Sequence, residues 1–142
     1  MRPSRPSPKA GYKHLREQRA LPGKGGLARI GAAFGHTIGG LREGLGTEAA
    51  IKQEAALALV ALPLSFFIAT NIWIWVALIG SLLLLLAIEF LNTAIERLCN
   101  HIEPGKHDAI KVTKDLGSAA VFFAILLAAL IWIAALLARF GF

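Results

Sequence analysis

Glu89, Asn92 and Glu96 fall three, four and seven residues apart, the spacing that puts side chains on one face of a helix. Glu89 and Glu96 point almost the same way two turns from each other, with Asn92 one turn from each. The strip begins directly after the apolar run Leu82–Ile88. A carboxylate there sits at or near the hydrocarbon edge, where charge is costly and marks function by default. Polar residues that only hold helices together can be Ser, Thr or Asn. Two carboxylates point instead to proton or metal work.

Other groups gather around the strip. Glu48 and Glu54 precede a long apolar stretch, and Lys114-Asp115, followed by Gly117-Ser118, opens another. Each has a plainer role open to it. Glu96 could pair with Arg97 or a loop lysine. Glu54 could be an ordinary acid at a helix N-terminus, favoured by the dipole. Asp115 could be a cap, and Lys114 a topology charge. The functional case rests on convergence, because Glu48, Glu89, Asn92, Glu96, Lys114 and Asp115 come to one membrane face from different helices. Hard oxygen ligands suit Mg²⁺, which keeps waters and bridges substrate phosphates. Lysine and arginine suit phosphate oxygens. A carboxylate at the bilayer edge can take the proton of a lipid hydroxyl. Metal, cationic clamp and base are the parts of phosphoryl transfer. Neither GxxxxGK[ST] nor a strand-linked GxGxxG is present, and a soluble kinase fold has no room in 142 residues.

The elements that must position these groups are helices. The chain is 56% hydrophobic yet carries 15 Lys+Arg against 9 Asp+Glu, which requires the two characters to be segregated. Residues 1–25, with Arg2, Arg5, Lys9, Lys13, Arg16, Arg19 and Lys24, read as a basic disordered tail peripheral to function. Beside a membrane domain, such a tail suits anionic lipid rather than nucleic acid. No signal peptide is recognised in it, and Cys99, the single cysteine, excludes an internal disulfide. From residue 27 to 46, Leu27, Ile30, Phe34, Ile38, Leu41 and Leu45 form one stripe at spacings of three and four. This predicts an amphipathic helix lying in the membrane interface, weakened by its glycines. Residues 48–53 read as a polar hinge. Ala55–Ile72 is an 18-residue stretch without charge, long enough to span, with Pro63 tolerated inside it. Thr70-Asn71 makes a short turn, and Trp73 and Trp75 follow as interfacial aromatics. The expected spans are about 50–72, 73–98 and 114–139, within a membrane domain of 26–142. Arg97, His101, Lys106, His107, Lys111 and Lys114 flank the second connection, whereas the first has no charge. The positive-inside rule therefore places the N-terminus and this loop in the cytoplasm and the C-terminus outside.

The segments Glu48-Ala-Ala-Ile-Lys-Gln-Glu54, Glu89-Phe-Leu-Asn-Thr-Ala-Ile-Glu96 and Lys114-Asp-Leu-Gly-Ser-Ala-Ala120 closely resemble the motifs of the prokaryotic diacylglycerol kinases, and the resemblance extends over about 26–140. It implies an all-α membrane protein of the bacterial inner membrane, with a surface helix and three spans, assembled as a homotrimer with each site between neighbouring subunits. The implied reaction converts diacylglycerol and MgATP to phosphatidic acid and ADP by direct in-line transfer. Glu89 would be the base, and Glu48 and Glu96 the metal ligands. The nucleotide would meet Arg29, His36, Glu48, Glu96, Gly105, Lys106, His107, Lys114 and Asp115, with His36 standing where the family has a tyrosine. The lipid would meet Arg29, Glu54, Glu89, Asn92 and Ser118. The tail is longer than the family's, and residues 103–112 match it poorly except around His107.

Two other functions fit parts of the pattern. An undecaprenol kinase would share the fold and differ in its lipid; Gly117-Ser118 leans towards diacylglycerol, since the polyprenol enzymes tend to carry Ala and Gly there. A small exporter or assembly subunit would also use an intramembrane Glu, but would not need the acidic strip together with Lys-Asp at one edge.

Overall fold

Four helices follow one another in the computed structural model, which describes residues 26–103, 105 and 107–141. They are α1 (Gly26–Thr47), α2 (Ala49–Ile68), α3 (Ile72–Ile102) and α4 (Asp108–Phe140). The basic tail and Lys106 lie outside the described residues. α2, α3 and α4 are each long and apolar enough to cross a membrane, so the protein is all-α with three candidate spans.

The spans differ in reach. α2 has 20 residues, about 30 Å at 1.5 Å per residue, close to the bilayer's hydrocarbon thickness. α3 has 31 and α4 has 33, about 46 and 50 Å, so both outrun the apolar layer. The excess falls at the end carrying Glu96, Arg97, Lys111 and Lys114. α4 thus starts six residues before the expected span start at 114, because backbone hydrogen bonds continue past the point where the side chains turn polar. The expected hinge at 48–53 contracts to Glu48, whose φ of −99° and ψ of 122° form the sole break between α1 and α2.

Local chemistry sets the turns. Asn71 caps α3, its Oδ1 accepting from the backbone N–H of Trp73 (2.9 Å) and Ile74 (3.1 Å). This satisfies two of the donors a helix start leaves open. His107 caps α4 with one such bond, its Nδ1 accepting from the Ala109 N–H at 3.2 Å. Gly141 ends α4 at φ 82°, a left-handed turn suited to glycine. At this end of the bundle the Arg139 Nε donates to the Phe67 carbonyl (3.1 Å), tying the end of α4 to the open end of α2.

Small residues make the packing. α3 and α4 pack most extensively, and α2 lies chiefly on α3. Ala61, Ser65, Ser81, Gly117, Ala124, Ala128 and Ala135 are buried, which lets the helices approach closely in lipid. Large apolar side chains such as Leu59, Phe67, Phe123 and Leu130 face outward, as lipid-facing or subunit-facing positions do. The chain divides into two units, one ending at Gly40 and the other running Leu41–Phe142. In the first, Ile30, Phe34 and Ile38 of α1 are exposed, leaving the amphipathic stripe open.

Gly44, in the last part of α1, is buried, and a Cβ there would run into the edge of the Phe90 ring and stand 3.0 Å from Ile51 Cδ1. Gly44→Ala should therefore destabilise the protein by about 1–3 kcal/mol through overpacking. Gly46→Ala, in open space, should be neutral or slightly stabilising, because alanine favours helix. Thermal unfolding of both variants in detergent checks the contrast.

Candidate active site at the membrane edge

The acidic strip lies where α2, α3 and α4 come together. Glu89 and Asn92 are buried, unusual for polar groups unless they are partnered or functional. With Ala50, Gln53, Glu54 and Ser118 they line a cleft of about 440 Å³. The four residues of this unit expected to meet the lipid, Glu54, Glu89, Asn92 and Ser118, therefore share one hollow. Two oxygens in it, Glu54 Oε2 and Asn92 Oδ1, are buried and accept no hydrogen bond. Asn92 Nδ2 donates to Glu96 Oε1 at 3.3 Å, linking the cleft to the outer end of the strip. Glu89 is near enough to Glu96 and Glu48 for their charges to act on it, and Glu54 is likewise within reach of Glu89.

Gly117 explains how α4 comes this close. A Cβ at 117 would collide with Asn92 Oδ1, so only glycine lets the α4 backbone lie against that amide. The sequence singles out Gly117 only as a mark of lipid preference; the tight contact with Asn92 has no signature in the sequence of either helix.

A second cleft, of about 500 Å³, lies at the α3–α4 connection and is lined by Gly105, His107, Asp108, Lys111, Lys114 and Asp115. Four residues expected to meet the nucleotide, Gly105, His107, Lys114 and Asp115, fall here together. Lys111 and Asp108 join them without having been singled out. Lys111 Nζ pairs with Asp115 Oδ2 at 2.8 Å, one helical turn away. Lys114 Nζ donates to Asn100 Oδ1 at 2.6 Å, crossing to α3. Asp115 is therefore a salt-bridge partner on the helix surface; the N-cap position belongs to His107. Arg29 and His36 are exposed on α1, in the unit ending at Gly40.

Glu48, at the α1–α2 break, is held by Arg97 of α3. Arg97 Nε and Nη2 both donate to Glu48 Oε1, at 3.1 and 2.6 Å, and Nη1 donates to Glu43 Oε1 at 3.0 Å. Nη2 also donates to Thr47 Oγ1. The guanidinium keeps the Glu48 carboxyl below the usual carboxylate range. Glu96 does not pair with its neighbour Arg97: adjacent residues on a helix face different ways, and Arg97 turns toward α1 and α2. Among the described residues no three His, Cys, Asp or Glu gather as a metal cage. Glu48 and Glu96 are each a carboxylate, the ligand type that a hard cation combines with water and phosphate oxygens.

Three apolar spans with acids and lysines gathered at one end form the framework of a small membrane-embedded enzyme. The family model described as prokaryotic diacylglycerol kinase matches residues 35–136. The diacylglycerol kinase of Escherichia coli (strain K12) is 36% identical over 116 residues, covering 82% of this chain and 95% of the relative. That of Pseudomonas aeruginosa is 34% identical over 115 residues, covering 81% and 94%. That of Haemophilus influenzae is 32% identical over 107 residues, covering 75% and 91%. The chain belongs to the prokaryotic diacylglycerol kinase family.

Proposed function

We propose that the protein transfers the γ-phosphoryl group of ATP to the hydroxyl of diacylglycerol, giving phosphatidic acid and ADP at the cytoplasmic face of the inner membrane. The observation that carries this reading is the cleft around Glu89. Its buried, unpartnered acceptors, Glu54 Oε2 and Asn92 Oδ1, call for a donor, because an unsatisfied buried oxygen costs about 1–3 kcal/mol. A lipid hydroxyl entering this cleft at the bilayer edge brings one O–H among these acceptors and Glu89, all of which line the same hollow.

In the mechanism, Glu89 takes the hydroxyl proton while the lipid oxygen attacks the γ-phosphorus. The bond to the ADP oxygen breaks in line, so no phosphorylated protein forms. Asn92 orients Glu96 and the hydroxyl, and Ser118 adds a polar contact from α4. Lys114 and Lys111 present positive charge to the phosphates from the second cleft, with Gly105 and His107 beside them; Lys106, given to the nucleotide by the family resemblance, lies outside the described residues. Arg29 and His36 are given to the nucleotide by the family resemblance alone. Glu48 and Glu96 would hold Mg²⁺, which, when bound with ATP, neutralises phosphate charge. The functional unit is a homotrimer, in keeping with the large apolar side chains that each chain leaves uncovered.

Purified protein given ATP and either diacylglycerol or undecaprenol in mixed micelles tests the substrate. Phosphatidic acid should form with Mg²⁺, stop on chelation with EDTA, and return when Mg²⁺ is restored. Faster phosphorylation of the polyprenol would reassign the lipid, and metal-independent transfer would remove the roles of Glu48 and Glu96.

A further inference from the structure

Arg97 is absent from the set of residues that the acidic strip and the Lys-Asp pair define, yet all three of its guanidinium nitrogens are engaged by the end of α1 and the start of α2. We infer that Arg97 is a positioning residue: with Glu43 it orients the Glu48 carboxylate for the divalent cation. The inference rests on the reading of Glu48 as a metal ligand.

The geometry divides the labour within the carboxylate. Both bonds from Arg97 to Glu48 go to Oε1; none among the described residues goes to Oε2. One oxygen is fixed and the other is left to coordinate. Partners that hold a ligating carboxylate in this way set metal affinity without touching the metal. A fork with several donors suits the task, because a planar guanidinium fixes direction where an ammonium supplies only a point charge.

Charge balance makes the same point. An arginine alone beside Glu48 would offset the negative charge a cation needs. Here Glu43, 3.0 Å from Nη1, balances Arg97, so Glu48 keeps its charge toward the metal. Thr47 completes the frame, its Oγ1 accepting from Arg97 and donating to the Glu43 carbonyl at 2.9 Å. Glu43, Thr47 and Glu48 span the α1–α2 break, so the clamp fixes the one point of that connection where the helix is interrupted.

The test uses the full-length protein in detergent, with Mn²⁺ as the paramagnetic probe and a non-hydrolysable ATP analogue, read by electron paramagnetic resonance. Arg97→Ala should weaken Mn²⁺ binding by about tenfold, the low end of the range for second-layer partners of a metal site. Arg97→Lys should fall between it and wild type, and Glu43→Gln should weaken binding less than Arg97→Ala. In turnover the loss should appear mainly in the KM for Mg²⁺ and much less in kcat at saturating Mg²⁺. Unchanged or tighter Mn²⁺ binding in Arg97→Ala would overturn the inference. So would equal losses in the alanine and lysine variants accompanied by loss of the thermal unfolding transition, since that marks a structural strut alone. Glu48→Gln separates the two levels. If it binds Mn²⁺ like wild type, the assignment of Glu48 as a ligand fails; if it loses Mn²⁺ while Arg97→Ala does not, only the clamp fails.

Discussion

Glu89→Gln should abolish phosphate transfer to diacylglycerol while leaving the protein folded. The substitution keeps the size and polarity of the side chain but removes its capacity to take a proton. Loss of a general base lowers rate by about 10²–10⁴-fold, and no other carboxylate is equally placed. Glu54 shares the cleft but stands on α2. Glu96 lies two turns away and is bonded to Asn92. Folding should survive, because Glu89 makes no salt bridge among the described residues and its neutral isostere is easier to bury. Radiolabel transfer from ATP to lipid measures the rate, and size-exclusion chromatography with thermal unfolding measures the fold. Activity above about a tenth of wild type would assign the base elsewhere, since it lies outside the range expected for loss of one.

Gly117→Ala should be the next most damaging change. The added methyl group would occupy the position of Asn92 Oδ1, so either the amide turns away or the α3–α4 contact opens. Overpacking of this kind costs about 1–3 kcal/mol. The larger loss is in activity. Asn92 lines the lipid cleft and donates to Glu96, and displacement of a positioned group by about 1 Å can cost about 10²-fold in rate. A double variant separates the effects. Gly117→Ala with Asn92→Ala removes the collision and should recover thermal stability without recovering transfer, which is the coupling expected of touching residues. If the single variant keeps full activity, Asn92 is not where the reaction needs it.

The spans and their order are legible because each apolar run is long enough to cross a bilayer and is bounded by charged residues or by the polar turn Thr70-Asn71. The limits of the helices are less so. The start of α4 at Asp108 rather than near Lys114 follows from its His107 cap, and hydropathy does not register a cap. The strip Glu89–Asn92–Glu96 is legible because it lies within one helix, where spacing alone fixes the face. What joins different helices is not. Arg97 reads as a loop-side charge or a partner of Glu96, yet it reaches Glu43 and Glu48, 54 and 49 residues away in sequence. Gly117 against Asn92 and Lys114 against Asn100 are contacts of the same kind. They depend on how two helices rotate about their axes, which no periodicity within either helix states.

The most direct test of the account is the stereochemistry of the product. ATP made chiral at the γ-phosphorus with oxygen isotopes and sulfur would be turned over with diacylglycerol, and the configuration of the resulting phosphatidic acid determined. A lipid hydroxyl activated by Glu89 and attacking ATP directly makes one displacement, so the account predicts inversion in a phosphatidic acid product. Retention, which needs a phosphorylated side chain between two displacements, or label that never reaches diacylglycerol, would contradict it.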